Sequence, residues 1–309
     1  MSSSPISASA YEVLGVNPDA SHDVLRRAYR RLLRETHPDT GGSPAQFHAA
    51  QRAWELVGTP EARASYDRGH VGAAPSTSWA TPAAPRKPRD SRPLARAYGH
   101  PGGWRRERFL TLMREWAGRG VVLDDPYDPQ LVRTAPRDIR HVLADALAEE
   151  ATARALADLG IAFTVWHDVA TEAGDRSAEA KLDHIVLGPT GLFAILSEDW
   201  GGEIKVRKGE IIGEVLAEGE RPMHDLALRA RSVARSARVK FTALAIVVPD
   251  DASEEALAVI GRTRGIPTIL VHRSRLPGLL RSGLDGVQAM GGNELFDVRT
   301  RLQAAIRFV

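Results

Sequence analysis

Apolar residues recur every three or four positions between Ser21 and Pro38, a spacing that predicts an amphipathic helix. The apolar side of this helix is formed by Leu25, Ala28, Tyr29, Leu32 and Leu33. Ser21 is suited to cap its first turn, because a serine side chain can accept a hydrogen bond from a free backbone amide. Pro38 lacks an amide hydrogen and disfavours the helical conformation of the residue before it, so the helix must end there.

A second amphipathic pattern follows after a short polar stretch. Its apolar positions are Phe47, Ala50, Trp54 and Val57. Thr59 followed by Pro60 predicts a further short helix, since threonine can cap a helix and proline is favoured in the first turn. The two longer helices are expected to run antiparallel and to hold a polar loop, residues 37–42, at their tip.

The C-terminal half alternates between helical and extended patterns. An alanine-rich helical pattern covers residues 135–159, and a period of two that predicts a half-buried strand follows over residues 161–166, where Ile161, Phe163 and Val165 alternate with the intervening residues. Further strand patterns cover residues 182–187, 192–197, 203–206, 210–212, 241–248 and 267–271. Helical patterns cover residues 224–238 and 253–263, and others begin near 274 and 293. This succession predicts an α/β domain with a mixed sheet.

These patterns divide the chain, whose 309 residues exceed one average domain. We predict an all-α domain over residues 9–68, a helical hairpin with two short helices, and an α/β domain over residues 135–309. Residues 69–103 are rich in Pro, Ala and Arg and are expected to form a flexible linker. Residues 104–134 form a bridging segment that the pattern assigns to neither domain.

Composition narrows the class of protein. The chain has no cysteine, which excludes disulfides and cysteine-rich zinc sites. Its longest apolar run, residues 241–248, is far too short to span a bilayer, and the N-terminus has no signal-peptide pattern. We therefore expect a cytoplasmic protein without membrane contact, and we expect no cofactor.

Positive charge is concentrated in two places, although the net charge is only +2. Residues 71–108 hold eight basic residues against two acidic ones, a balance typical of a solvated linker; the alternative is that this segment contacts nucleic acid or another acidic surface. The first predicted helix carries five arginines, Arg26, Arg27, Arg30, Arg31 and Arg34. Like charges four residues apart cost about 0.2 to 0.5 kcal/mol each, so this face indicates an acidic partner, unless it is merely solvated.

Dense matches to one known module surround the loop sequence His37-Pro38-Asp39. They are Tyr11-Glu12-Val13-Leu14-Gly15-Val16, Arg26-Arg27-Ala28-Tyr29-Arg30-Arg31-Leu32, Ala53-Trp54 and Arg63-Ala64-Ser65-Tyr66-Asp67. On these residues, the segment 9–68 resembles a J-domain, the module that docks on DnaK-type chaperones and stimulates their ATP hydrolysis. The resemblance implies that the five arginines dock on the chaperone and that the loop promotes hydrolysis. It also implies that the module is not itself an enzyme.

A second set of matches lies within residues 146–213. They are Glu149-Glu150-Ala151-Thr152-Ala153-Arg154, Asp183-His184-Ile185-Val186-Leu187-Gly188-Pro189, Gly191-Leu192-Phe193-Ala194-Ile195 and Trp200-Gly201-Gly202. On these residues, the segment resembles the nuclease-related domain, a relative of restriction-endonuclease-like folds. Catalysis in that superfamily needs an acid on one strand and, on the next strand, an acid and a lysine two residues apart. The acid and the lysine of that pair then both face a metal ion and the attacking water, because alternate residues of a strand share a face.

The second half of that catalytic pattern is missing. The required acid and lysine would fall on Leu196 and Glu198, although Glu149 and Asp183 fill the other acidic positions. A rearranged site would use Lys181, two residues before Asp183, with Glu198 as a displaced carboxylate. We expect instead a degenerate site in a binding or scaffold domain, with Asp183 held in a structural hydrogen bond.

The sequence therefore predicts a J-domain co-chaperone whose non-catalytic C-terminal domain brings an unknown client or a location. One alternative is a nucleic-acid-binding or metal-dependent nuclease-related protein that uses its J-domain for recruitment. Its nucleic-acid contacts would come from the basic linker or from the C-terminal domain. A third interpretation is a pure adaptor, in which the C-terminal domain makes only protein contacts.

Overall fold

The computed structural model describes residues 9–36, 43–71, 93–171, 181–207, 209–213, 215–216, 219–287 and 289–309. The chain divides into a compact N-terminal unit, Ser7–Thr81, and a second unit that includes Pro82–Val309. The predicted bridging segment therefore belongs to the C-terminal unit. Among the described residues, every helix is too short or too polar to cross a membrane.

Helices form the described part of the N-terminal unit. They are α1 (Ala10–Val13), α2 (His22–Thr36), α3 (Pro44–Val57) and α4 (Pro60–Val71). The buried core between them contains Tyr11, Leu14, Leu25, Ala53 and Val57. The rings of Tyr29 and Trp54 stack with their centroids 4.5 Å apart, which joins α2 to α3. The predicted all-α domain is confirmed.

Hydrogen bonds tie the first helix of this unit to the last. Ser9 caps α1 in a capping box, so the short helix has a defined start. The amide of Ala10 donates to the hydroxyl of Tyr66 at 2.9 Å, and the hydroxyl of Tyr11 donates to Asp67 at 2.6 Å. These bonds join residues 56 positions apart, which makes α1 and α4 integral parts of one fold.

A mixed sheet forms the centre of the C-terminal unit. The strands in chain order are β1 (Arg96–Tyr98), β2 (Thr164–Ala170), β3 (Lys181–Gly188), β4 (Gly191–Ser197), β5 (Lys205–Arg207), β6 (Glu210–Ile212), β7 (Ala243–Val248), β8 (Leu257–Thr263) and β9 (Ile266–His272). Seven of them form one sheet in the order β1-β2-β3-β4-β7-β9-β8, and β5 pairs with β6 in a separate hairpin. The sheet is antiparallel across β2-β3-β4 and β9-β8 and parallel elsewhere. The predicted α/β domain with a mixed sheet is confirmed.

Helices cover both faces of this sheet. In chain order they are α5 (Gly103–Ala117), α6 (Pro129–Thr134), α7 (Arg137–Ala157), α8 (Pro222–Ala237), α9 (Leu276–Ser282) and α10 (Gly292–Ala305). One core joins Leu226 of α8 and Leu302 of α10 to Ile246 of β7. The other core joins Leu156 of α7 and Leu280 of α9 to the opposite face of the sheet. Burial on both faces explains why the central strands have nearly continuous apolar sequences.

The predicted helix over residues 253–263 is wrong. Leu257–Thr263 is β8, which pairs antiparallel with β9 at the edge of the sheet. Leu257 and Val259 are exposed, and a register shift between Val259 and Gly261 interrupts the alternation of buried and exposed residues. An edge strand with a bulge therefore lacks the clear period of two that identifies a strand in a sequence.

The predicted linker over residues 69–103 is wrong at its C-terminal end. Arg96–Tyr98 forms β1 and pairs in parallel with β2. The amides of Ala95 and Arg96 donate to the carbonyls of Ala157 and Phe163 at 3.0 and 3.1 Å. Because the β1 side chains are exposed, the strand joins the sheet through its backbone and composition could not reveal it. Residues 72–92 of the predicted linker lie outside the described residues.

Candidate functional site

The polar side of α2 forms an exposed basic face. All five predicted arginines are exposed, namely Arg26, Arg27, Arg30, Arg31 and Arg34. The ion pair between Arg31 and Glu35 spans 4.0 Å at the surface, where such pairs contribute little free energy. The helix therefore presents most of this charge to solvent.

The predicted loop residues His37, Pro38 and Asp39 lie outside the described residues. Both flanks of the loop are described. The buried hydroxyl of Thr36 donates to the carbonyl of Leu32 at 2.7 Å at the end of α2. On the other side, the Ser43 side chain caps α3. Local hydrogen bonds thus define the two helix ends from which the loop departs.

A cluster of buried charges lies where β3 begins and β4 ends. Its centre is Lys181, whose Nζ is 2.6 Å from Glu149 Oε1, 2.7 Å from Asp168 Oδ1 and 3.1 Å from Asp183 Oδ1. Lys181 and Asp183 project from the same side of β3 because alternate strand residues share a face. Asp183 Oδ2 also accepts a hydrogen bond from the Ser197 amide at 2.8 Å, the structural bond that the sequence predicts.

Arg105 is a second buried cation in this cluster and comes from α5, with only 2% of its surface exposed. Its guanidinium reaches four carboxylates: Asp145 at 2.6 Å, Glu149 at 2.8 Å, Glu198 at 3.6 Å and Asp183 at 3.9 Å. The two cations therefore share Glu149 and Asp183. We call Arg105, Lys181 and their five carboxylates, Asp145, Glu149, Asp168, Asp183 and Glu198, the ion-pair cluster.

Hydrogen bonds of Asp168 connect the start of α5 to the ion-pair cluster. Its φ of +49° is uncommon for a residue with a side chain and marks local backbone strain. Oδ1 of Asp168 accepts from the lysine of the cluster, and Oδ2 accepts from the Trp104 amide at 3.3 Å. The Gly102 amide donates to Glu149 Oε2 at 3.0 Å. The turn before α5 is thus bound to the same carboxylates that hold the two cations.

Burial and mutual charge shift the pKa values of the cluster. Burial alone would raise the pKa of Asp183, but the charges of Lys181 and Arg105 outweigh it and lower that pKa. Burial would lower the pKa of Lys181, whereas the charges of Asp183 and Glu149 raise it. Burial and then the charge of Asp183 raise the pKa of Glu149 well above its usual range. Charge pairing therefore maintains the ionised forms of Asp183 and Lys181, which burial alone would neutralise, whereas Glu149 is protonated more readily than an exposed glutamate.

The metal ion of a nuclease-type site does not fit these residues. A catalytic Mg²⁺ needs carboxylate oxygens free to approach it at about 2.0 to 2.1 Å. Glu149 Oε1 instead contacts both cations, and Asp183 Oδ1 lies 3.1 Å from Lys181 Nζ. Leu196, at the expected position of the second acid, is buried in the apolar core. The chain's own cations thus neutralise the carboxylates on which such a metal ion would depend.

Histidines adjoin the ion-pair cluster at two points. Nδ1 of His167 lies 2.8 Å from Nδ1 of His184 between β2 and β3. Burial lowers the pKa of His167 to about 4 and that of His184 well below its usual value, so both rings are neutral at neutral pH. On α7, Nε2 of His141 lies 3.4 Å from Asp145 Oδ1. Burial would lower the pKa of His141, but the charge of Asp145 raises it.

Comparison with known families identifies a segment in each unit. Residues 9–67 match the DnaJ domain, and residues 144–243 match the nuclease-related domain. The chain carries a DnaJ domain and a nuclease-related domain. The resemblances inferred from the sequence are therefore confirmed. Arg105 lies outside both matched segments, so one of the two cations of the ion-pair cluster comes from a preceding helix.

Curated relatives match this chain over its DnaJ domain. The chaperone protein DnaJ of Gloeothece citriformis is 48% identical over 66 residues, which is 20% of this chain and 18% of the relative. The chaperone protein DnaJ of a Roseiflexus species is 47% identical over the same length and shares. A DnaJ protein homolog of Cucumis sativus is 45% identical over 58 residues, 19% of this chain and 14% of the relative. The chain thus spans less than a fifth of the length of these relatives.

The structure brings together all four residues predicted for the nuclease-related site, Glu149, Lys181, Asp183 and Glu198. It adds three that the sequence argument missed, Arg105, Asp145 and Asp168. Asp168 did carry a signal, since it is an acidic residue within a strand that also holds the apolar residues Val165, Trp166 and Val169. Arg105 carried none, because it is one of several arginines in a basic segment.

Proposed function

We propose that this protein is a J-domain co-chaperone that docks on a DnaK-type chaperone and stimulates its ATP hydrolysis. The observation that carries the proposal is the match of residues 9–67 to the DnaJ domain. The exposed arginine face of α2 supports it, because it offers a charged docking surface in the matched segment. Since the chain has no cysteine, the proposed compartment is the cytoplasm.

Docking is proposed to use the arginine face of α2. A shallow groove beside this face is lined by Gly15, Val16, Val24, Arg27, Ala28, Arg30, Arg31 and Arg34. Basic charge therefore lies next to apolar side chains, which suits an acidic surface with some apolar area. Exposed charges of this kind accelerate association, and salt screens the effect.

The loop residues His37, Pro38 and Asp39 are proposed to act on the docked chaperone. They follow α2 directly in the chain, so the arginine face and the loop would meet the same partner. A ligand shifts a conformational equilibrium only through different affinities for the two states. The loop must therefore bind the hydrolysis-competent state of the chaperone more tightly than the other state.

The nuclease-related domain is proposed to be non-catalytic and to bring a client or a location. The ion-pair cluster supports this, because Lys181 and Arg105 engage the carboxylates that nuclease chemistry would use. Leu196 also removes one acidic position. The chain would then act by accelerating ATP hydrolysis in the chaperone, and the second domain would determine at which client or location this occurs.

The test is single-turnover ATP hydrolysis by the host's DnaK-type chaperone, with and without the full-length protein. We expect the wild type to accelerate hydrolysis and the His37→Gln and Asp39→Asn variants to lose that effect. A matched control is His48→Gln, which changes an exposed histidine of α3 and should retain full stimulation. Full stimulation by His37→Gln would refute the mechanism, and no stimulation by the wild type would refute the function.

A nucleic-acid role is the second candidate, and the match of residues 144–243 to the nuclease-related domain favours it. In that case the DnaJ domain would recruit a chaperone to a nucleic-acid site, and the basic segment within residues 71–108 would contact phosphates. Metal-dependent cleavage of DNA or RNA that is lost in Asp183→Asn would support this candidate. Intact substrate after incubation with Mg²⁺ and Mn²⁺ would count against the enzymatic version.

A further inference from the structure

Helix α7 carries three side chains of types that can bind metal ions in one column. His141, Asp145 and Glu149 are spaced four residues apart and therefore share a helix face. Glu149 is fully buried in the ion-pair cluster. The side chains of Asp145 and His141 are 10% and 22% exposed, so the column leads from the cluster towards solvent.

Glu198 meets the outer part of this column from the sheet. It directly follows β4, and its amide donates to the Val247 carbonyl at 3.0 Å, which fixes its backbone. One ligand atom each from His141, Asp145 and Glu198 lies within 4.8 Å of the other two. A helix and a strand end therefore position the three groups, and both are rigid elements suited to holding a site.

The three groups suit an ion that accepts both nitrogen and oxygen ligands. Zn²⁺ binds imidazole nitrogen and carboxylate oxygen at about 2.0 to 2.2 Å, so tetrahedral ligand atoms lie roughly 3.3 Å apart. His141 Nε2 and Asp145 Oδ1 are already 3.4 Å apart. Glu198 would need to move inward by at most about 1.5 Å to complete that geometry. Mg²⁺ and Ca²⁺ fit less well, because they prefer oxygen ligands alone.

We propose that His141, Asp145 and Glu198 bind a divalent transition-metal ion of the zinc class. This position lies on the solvent side of the ion-pair cluster and differs from the nuclease-type position between Glu149 and Asp183. Three protein ligands leave a fourth position for water or for a donor group of a partner. The inference goes beyond the proposed co-chaperone function and does not depend on it.

Arg105 supports such a site as the ion-pair partner of a ligand. Its Nη1 contacts Asp145 Oδ2 at 2.6 Å, while Oδ1 of the same carboxylate faces His141. The amide of Asp199 also donates to Oδ1 at 3.3 Å, which a carboxylate oxygen with two lone pairs can accept beside a metal bond. A metal-ligating carboxylate that is hydrogen bonded by a second residue is the usual arrangement in proteins.

The charge balance of the cluster also favours a cation. Among the described residues of the ion-pair cluster, five carboxylates surround two cations, Arg105 and Lys181. Arg105 contacts Asp145 Oδ2 and Glu149 Oε1 on the inner side of this group. The His141 end of the column approaches solvent. A divalent ion at the outer position would offset negative charge without displacing either buried cation.

The test is metal binding by the full-length protein, free of any histidine tag and stripped of metal by a chelator. Zn²⁺ is titrated by calorimetry, and Co²⁺ serves as a spectroscopic probe of nitrogen and oxygen ligands. We expect one ion per chain. His141→Ala should weaken this binding at least about tenfold, as losses of metal-site residues commonly do. His224→Ala, which changes an exposed histidine of α8, should leave it unchanged.

Glu198→Gln provides a second variant that preserves side-chain size and removes one ligating charge. Far-ultraviolet circular dichroism of each variant shows whether its fold is retained. Weak binding by both His141→Ala and Glu198→Gln, with normal binding by His224→Ala, would support the site. Absence of Zn²⁺ binding by the wild type, or equal affinity in the folded His141→Ala variant, would overturn it.

Discussion

Arg105 is one side chain whose ion pairs neutralise several carboxylates of the nuclease-related site. Its guanidinium contacts Asp145 and Glu149 at 2.6 and 2.8 Å in a place almost closed to water. Burying charges is costly, and their mutual attraction offsets that cost only while both partners are present. Removal of the guanidinium would leave carboxylates buried with one cation, Lys181. The same residue that neutralises the site is therefore expected to be needed for its stability.

Arg105→Ala is predicted to destabilise the C-terminal unit by about 3 to 5 kcal/mol, the usual cost of breaking a buried ion pair. Hydrogen exchange of the β3 and β4 amides reports the stability of this unit separately from the DnaJ domain. The matched control is Arg108→Ala, an exposed residue of the same helix, which should change stability by less than about 0.5 kcal/mol. Equal protection in the two variants would contradict the prediction.

The buried pair of His167 and His184 predicts a dependence of stability on pH. Burial lowers the pKa of His167 to about 4, and that of His184 is also lowered. Between that pH and the ordinary histidine pKa of about 6.5, the unfolded chain binds protons that the folded chain excludes. The unfolding free energy should therefore fall as pH falls through this window, by about 1.4 kcal/mol per pH unit for His167, and the lowered pKa of His184 should add a decrease of the same sign.

The measurement is urea denaturation of the full-length protein at several pH values, with a probe specific to the C-terminal unit such as exchange of the β2 and β3 amides. The double variant His167→Gln/His184→Gln should show a smaller decrease in stability across the window, whatever its absolute stability. A decrease of the same slope in wild type and variant would show that these histidines are not the source.

Individual elements differ in how much of them the sequence could predict. The antiparallel pair β3 and β4 was predictable, because two apolar runs flank the turn residues of Gly188-Pro189-Thr190-Gly191. Helix α7 was predictable from its length and period. Edge strands β1 and β8 were not, since backbone pairing places them and their exposed side chains carry little pattern. The contacts of Arg105 reach residues at least 40 positions away, and no local period encodes them.

The role of residues 93–134 yields a prediction at the scale of elements. A fragment of residues 93–309 retains β1, α5 and Arg105, whereas a fragment of residues 135–309 loses all three. The shorter fragment would expose the edge of β2 and leave Asp145 and Glu149 without their guanidinium partner. We expect the longer fragment to be monomeric and cooperatively folded and the shorter one to aggregate. Equal solubility and equal thermal unfolding of the two fragments would contradict this.

The whole molecule combines two units with different electrostatic designs. The DnaJ domain exposes its arginines on α2, where salt can screen them and a partner can reach them. The C-terminal unit buries the charges of the ion-pair cluster against one another, and the His141 end of α7 approaches solvent. Charge is thus available for docking in one unit and mainly internal in the other. Under the proposed function, stimulation of a chaperone would reside in the first unit, and the second unit would contribute a client or a location.

A division of the chain tests that separation of roles. A fragment of residues 1–71 keeps α1 to α4 and the hydrogen bonds that join α1 to α4, so it should fold without the second unit. In single-turnover assays at saturating concentration, it should stimulate ATP hydrolysis within about twofold of the full-length protein. The fragment of residues 93–309 should give no stimulation. If the first fragment is folded but inactive, stimulation would require the nuclease-related domain itself, and the separation of roles would be wrong.

Arg30→Glu, in the full-length protein or in the fragment of residues 1–71, should lower stimulation at low salt. The difference from the unchanged sequence should shrink as salt rises, because the docking charges are exposed and salt screens them.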